Sequence, residues 1–128
     1  MPIEVVRLGS PRRVNEGLRI GTVRRPPRGV PKTQFAKRDF YDVWLPNLAP
    51  SQELVVFAQR SQDEKQWKAF ERKFRAEMNK PDAARLLDVL AALSRQTNFS
   101  IGCYCENEER CHRFILRTLL TERGAEFW

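Results

Sequence analysis

The chain has 128 residues, 41% of them hydrophobic, so it is long enough to bury its own core as one domain over residues 1–128. Its apolar runs are too short to span a membrane, and its start lacks the basic and apolar stretches of a signal peptide. The net charge of +7 favours an anionic partner, and three cysteines confined to positions 103–111 argue against a secreted disulfide framework and predict reduced thiols in a cytoplasmic protein.

Three strands and an exposed loop are predicted in the first third of the chain. Residues 3–8 are rich in β-branched side chains, and residues 18–23 alternate apolar with small or polar side chains. Residues 24–31 contain three prolines and a glycine, a composition typical of an exposed loop. A third strand is predicted at residues 40–45.

Helices are predicted for the middle of the chain. Ser51 is positioned to cap a helix that runs to about residue 59, and the spacing from Ser61 to Glu64 predicts a capping box for the next helix. That second helix carries a core stripe at intervals of three and four, formed by Trp67, Phe70, Phe74 and Met78. Pro81 suits the first turn of a third helix. Its predicted buried positions are Leu86, Leu87, Leu90 and Leu93.

A last strand and a last helix complete the predicted fold. Residues 99–105 are predicted to form the strand, and Asn107 is positioned to cap the helix that follows. The inner face of this helix is predicted to consist of Phe114, Ile115, Thr118 and Leu119. The order of the elements predicts a single compact α/β domain, with a small, mostly parallel sheet and helices packed on it.

The positive charge is concentrated in residues 7–38. This segment holds one acid, Glu16, and ten basic side chains: Arg7, Arg12, Arg13, Arg19, Arg24, Arg25, Arg28, Lys32, Lys37 and Arg38. A distribution this one-sided predicts an anionic ligand or a nucleic acid as partner, with a solvated basic surface as the alternative. A nucleic acid would be held through its phosphates, because Phe35 is the one aromatic residue of the segment.

The junction between the last strand and the last helix holds the side chains with the most chemistry. Alternation along the strand places Cys103 and Cys105 on one face, about 7 Å apart. Helical spacing places Cys111 on the buried face of the next helix and turns Arg113 away from it. Because ligands of open α/β sheets bind at such strand ends, this junction is the predicted functional site.

Four interpretations of the junction stay open. The leading one is a site for a phosphate-bearing ligand such as a nucleotide, with donors drawn from Arg28, Arg110, His112 and Arg113. The second is a zinc site made of Cys103, Cys105, Cys111 and His112. The third is a reactive thiol, in which the catalytic residues would be Cys105, His112 and Arg113. In the fourth, the cysteines only pack as small hydrophobic side chains.

The sequence does not say whether the protein is an enzyme. It contains no glycine-rich phosphate loop with a following lysine and no dinucleotide-binding fingerprint. Its single histidine, His112, has no serine partner marked by sequence for a catalytic triad. The reaction, the ligand and the oligomeric state are therefore open at this level.

Motifs spread over residues 3–123 carry a family resemblance. The segment 103–113 reads C-x-C-x5-C-H-R, and further motifs are Pro27-Arg28-Gly29, Ala49-Pro50-Ser51 and the helix with Trp67, Phe70 and Phe74. The combination resembles a bacterial and archaeal domain-of-unknown-function family that includes YeaO-like proteins. It departs from the YeaO-like pattern at Pro26, where that branch usually has tryptophan. The resemblance implies a small α/β domain and matched polar positions at Arg28, His112 and Arg113, but no particular activity.

Overall fold

A parallel four-stranded sheet organises residues 2–105 and 111–128, the parts of the chain that the computed structural model describes. The strands are β1 (Ile3–Arg7), β2 (Leu18–Gly21), β3 (Val43–Trp44) and β4 (Phe99–Cys103), in the spatial order β1-β4-β2-β3. Each neighbouring pair of these strands is parallel, and Ile101 of β4 pairs with Val5 of β1 and with Ile20 of β2. The predicted α/β class with a small parallel sheet is confirmed.

Helices α1 (Gln52–Gln59), α2 (Glu64–Met78), α3 (Pro81–Leu93) and α4 (His112–Glu122) accompany the sheet. Ser51 caps α1 as predicted, because its hydroxyl accepts a hydrogen bond from the backbone of Leu54. The capping box predicted at Ser61 is wrong. Asp63 caps α2 by accepting from the backbone of Gln66 at 2.8 Å, while the Ser61 hydroxyl donates to the last turn of α1 at Phe57. None of the described helices is long and apolar enough to cross a membrane.

The helices bury one face of the sheet. The predicted stripe of α2 is buried in the main core, against strand residues Ile3, Ile20, Phe99 and Ile101. On α3, Leu87 and Leu90 are buried as predicted, but Leu93 in the last turn is 41% exposed. The predicted inner face of α4 is off by one residue. Its buried apolar residues are Ile115, Leu116, Leu119 and Leu120.

The difference at α4 arises from where the helix begins. Cys111 is the N-cap, so α4 starts at His112, and the predicted cap at Asn107 lies outside the described residues. Phe114 is consequently 41% exposed, and the helix presents its first turn to the end of β4.

The opposite face of the sheet is covered by the segment 22–41. Val23 and Tyr41 of this segment pack with Val6 and Leu8 in a second, smaller cluster, which Cys103 and Cys111 also join. Gly21 and Gly102 are paired across β2 and β4, and a Cβ on Gly21 would collide with the ring of Tyr41. Gly21 therefore lets the covering segment approach the sheet closely, which brings residues 22–28 beside the end of β4.

Candidate functional site

A pocket of about 500 Å³ opens at the carboxyl ends of β2 and β4. Its apolar wall includes Val55 and Ala58 of α1 and Trp67 and Phe70 of α2. The sequence-predicted residues that line it are Arg28, Cys103, Cys105, Cys111 and His112. The tertiary structure thus gathers the predicted loop arginine, the three thiols and the histidine around one cavity.

Three thiols meet on one wall of the pocket. Cys103 ends β4 and Cys111 precedes α4; both are buried, and their Sγ atoms are 2.7 Å apart. Cys105 lies on the exposed side of the same group. The prediction that Cys111 lies within the helix is wrong, because its backbone is extended, with φ −134° and ψ 152°. Because the backbone of Cys111 is extended, Cys111 and the neighbouring His112 can direct their side chains toward one point.

The thiols differ in acidity. Hydrogen bonds from Cys103 and Cys111, together with the charge of Arg113, hold the pKa of Cys105 well below its ordinary value. The hydrogen bond to Cys105, with those to Cys111 and burial, raises the pKa of Cys103 far above it. Cys105 is therefore the most acidic thiol of the group, and the buried Cys103 is the least acidic.

His112 is held in one tautomer. Its Nε2 atom lies 2.6 Å from the carbonyl oxygen of Thr22, and a carbonyl can only accept, so Nε2 carries the proton. Nδ1 therefore presents its lone pair, 3.7 Å from the Sγ atom of Cys111. Burial lowers the pKa of His112 to about 4, so the ring is neutral at neutral pH.

The Thr22 carbonyl is itself held in place by the sheet. Both the backbone N–H and the hydroxyl of Thr22 donate to the carbonyl of Gly102, at 2.9 and 3.1 Å. The ring of His112 also meets Phe74 edge-on, with centroids 5.7 Å apart. The imidazole is thus positioned by β2, β4 and α2 together.

The prediction that Arg113 points away from the inner face of the helix is wrong. Arg113 is 3% exposed, and its Nη2 atom donates to the backbone carbonyl of Cys105 at 2.7 Å. Because α4 begins at His112, Arg113 lies in the first turn and folds back onto the chain that leaves β4. Arg113 supports the thiol wall from behind and does not line the pocket. Arg110, another predicted donor, lies outside the described residues.

Three arginines surround the mouth of the pocket, two of which the sequence analysis did not single out. Arg24 donates to the carbonyls of Ala49 and Pro50 at 3.0 Å each, and Arg25 donates to Gln52 at 3.3 Å. Arg28 is exposed and makes no hydrogen bond or ion pair with the residues that the structure describes. No acidic side chain lines the pocket within that part of the chain. The run Arg24-Arg25-Pro26-Pro27-Arg28 was the signal available in the sequence.

Part of the positive field predicted for residues 7–38 is neutralised inside the fold. Arg12 forms ion pairs with Asp39 and Asp42, and the fully buried Arg19 pairs with Glu16. The exposed basic residues of the segment with no partner among the described residues are Arg28, Lys32, Lys37 and Arg38. The surface available to a nucleic acid is therefore less basic than the sequence indicates.

Comparison with known proteins supplies a family for this fold and site. Searches of curated proteins and of solved structures found no match. The family model DUF488-N3a, described as the active DUF488-N3 subclade, matches residues 3–124. The match supports the predicted domain-of-unknown-function family, while the assignment to its YeaO-like branch stays a prediction. The chain belongs to the DUF488-N3a family.

Proposed function

We propose that the pocket binds a phosphate-bearing ligand of about nucleotide size. The observation that carries the proposal is Arg28, an exposed guanidinium with no partner among the described residues, on a pocket that also has an aromatic wall. The cavity of about 500 Å³ falls within the range of roughly 300–1,000 Å³ typical of small-molecule sites.

The charges around the mouth favour an anion. A guanidinium offers two parallel N–H groups that match two phosphate oxygens, and Arg28 uses none of its donors on the residues that the structure describes. Arg24 and Arg25 use donors on Ala49, Pro50 and Gln52, but their charges still add to the field. With no acidic side chain among the described lining residues, nothing in that part of the chain offsets this field.

The apolar wall of the pocket favours an apolar group on the same ligand. Trp67 and Phe70 stack with centroids 5.0 Å apart, and Val55 and Ala58 extend the apolar surface from α1. A nucleotide has both parts, since its base is flat and apolar on its faces and its phosphates are anionic. Inorganic phosphate alone would use only the arginines.

The thiol wall adds a reactive edge to the same pocket. A ligand held at Arg28 would lie in the cavity that Cys105 and His112 also line. Their predicted role as catalytic residues, with Arg113 as support for Cys105, stays a prediction. It would require an enzyme whose ligand reaches the thiols.

Calorimetric titration with ADP, adenosine and inorganic phosphate tests the proposal. We expect ADP to bind more tightly than either fragment. Arg28→Ala should weaken ADP binding about tenfold or more, because a hydrogen bond to a charged group contributes roughly 1.5–3 kcal/mol. Arg38→Ala is the matched control, since Arg38 is exposed in the same basic segment but does not line the pocket. Absence of binding by all three compounds, or equal losses in both variants, would refute the proposal.

A further inference from the structure

We infer that Cys103, Cys105, Cys111 and His112 form a zinc-binding site at the end of β4. This inference goes beyond the proposed function, because a phosphate-binding pocket needs no metal. The four residues are separate from Arg28, so each proposal can fail without the other.

The donor atoms already converge. One ligand atom each from Cys103, Cys111 and His112 lies within 4.8 Å of the other two. Ligand atoms of a tetrahedral zinc site lie roughly 3.5–3.8 Å apart, given bond lengths of about 2.3 Å to sulfur and 2.0 Å to nitrogen. The distance of 3.7 Å between Cys111 Sγ and His112 Nδ1 fits this spacing. The 2.7 Å between the sulfurs of Cys103 and Cys111 would open by about 1 Å to admit the ion.

The histidine presents the correct nitrogen. The Thr22 carbonyl accepts the Nε2 proton at 2.6 Å, which leaves the Nδ1 lone pair directed at the thiols. A histidine that ligates a metal almost always donates its second N–H to a carbonyl or a carboxylate, which fixes the ring and the tautomer. The structure therefore supplies the outer partner as well as the ligand.

The close spacing of Cys111 and His112 along the chain is no obstacle. Two neighbours within a helix would point about 100° apart, but Cys111 is extended and only His112 is helical. Cys105 lies outside the group of three whose ligand atoms are all within 4.8 Å of one another, and we assign it as the fourth ligand because it is exposed two residues after Cys103 and lines the same pocket. Three thiolates and one imidazole form a common donor set of structural zinc sites.

The buried charge of Arg113 fits an anionic centre. Three thiolates and one Zn²⁺ sum to about one negative charge, which a buried site must balance. The guanidinium of Arg113 is buried, its Nη2 atom donates to the Cys105 carbonyl, and its Nε atom has no hydrogen-bond partner among the residues that the structure describes. A cation in this position would stabilise the loaded site without being a ligand.

Metal titration of the reduced, untagged full chain tests the inference. After removal of metal by chelator, we expect one equivalent of Co²⁺ to produce the visible bands of a tetrahedral site and the near-ultraviolet bands of thiolate ligands. One equivalent of Zn²⁺ should abolish these bands, and it should protect all three thiols from a thiol reagent. A reduced chain that gives no such bands and no protection overturns the site. So does a native chain with one free thiol and two recovered only by reductant, since that result identifies a Cys103–Cys111 disulfide.

Single substitutions assign the ligands. Cys105→Ser changes the exposed thiol and should leave the fold intact by circular dichroism. It should remove about one third of the thiolate band of the cobalt form, because one of three sulfur ligands is lost, and weaken Zn²⁺ binding at least about tenfold. Arg28→Ala is the matched control and should bind Zn²⁺ as the wild type does. An unchanged cobalt spectrum in Cys105→Ser would overturn the four-ligand assignment.

Discussion

Two polar clusters lie at opposite ends of the strand pair β2 and β4, and the cavities beside them differ in size, about 30 Å³ at Glu16 and about 500 Å³ at the thiols. At the end where the strands begin, the buried Arg19 donates to both carboxylate oxygens of Glu16, at 2.7 and 2.8 Å. It also donates to the carbonyls of Ser10 and Asp39, and Ser100 donates to Glu16 at 2.7 Å. Every charge in this cluster has protein partners.

The thiol cluster lies at the other end of the two strands, and it contains groups that could bind a ligand. His112 directs the Nδ1 lone pair at a sulfur atom, Cys105 is exposed, and the pocket lies directly beside them. The comparison teaches that a buried charge by itself does not indicate a binding site. Donor atoms without a partner beside a cavity are the better indication of one.

The largest effect on stability is expected from removing Arg19, the cation of the Arg19–Glu16 cluster. Arg19→Ala leaves the Glu16 carboxylate buried and unpaired, so it should lower the free energy of unfolding by about 3–5 kcal/mol or abolish folding. Arg75→Ala is the control, because Arg75 pairs with Glu122 at the surface and its loss should cost less than about 1 kcal/mol. Urea denaturation measures both. Similar losses in the two variants would contradict the structural role given to Arg19.

The next largest effect is expected from acid, which should lower the contribution of the Arg19–Glu16 cluster to the free energy of unfolding. Burial alone would raise the pKa of Glu16, but hydrogen bonds from Arg19 and Ser100 outweigh it and hold this pKa below the ordinary value. Since the pKa is lower in the folded chain, unfolding takes up a proton in acid. This contribution to stability is complete above the pKa of the unfolded chain and disappears as the pH falls through the folded pKa.

The same argument applies to Asp42. Burial opposes the shift, and hydrogen bonds from Arg12 and the Arg19 backbone lower the pKa of Asp42. Urea denaturation between pH 7 and pH 3 should show stability falling on the acid side. The decline should be shallower in Glu16→Gln, and an identical decline in this variant would exclude Glu16 as a source.

The smallest effect is expected for the salt dependence of nucleic-acid binding. Two cations, Arg24 and Arg25, bond only to neutral groups in the described residues, and four more have no described partner: Arg28, Lys32, Lys37 and Arg38. The slope of the logarithm of duplex DNA affinity against the logarithm of salt concentration should therefore be no steeper than about −5.4. Fluorescence anisotropy between 50 and 200 mM salt measures it. A flat response would exclude phosphate-backbone binding, and a much steeper one would mean that the internal ion pairs of Arg12 and Arg19 open on binding.

Sequence reasoning succeeded where the signal was local. The stripe on α2 and the cap at Ser51 follow from spacing of three or four residues, and both are present. It failed at Ser61 and Asp63, where two neighbouring residues could each cap a helix and the end of α1 decided between them. The burial of Arg113 could not be predicted, because the starting residue of α4 determines which way its first turn faces.

The sequence by itself determined the class of fold, the junction at residues 103–113 and the set of thiol and imidazole donors there. Only the tertiary structure decided which arginines stay free. Arg12 and Arg19 are neutralised by Asp42 and Glu16 in a packed environment, whereas Arg28 projects from a proline-rich loop beside the pocket. Local spacing encodes helices, strands and caps, whereas the partners of Arg12, which are Asp39 and Asp42, lie 27 and 30 residues further along the chain, so only the fold brings them to it.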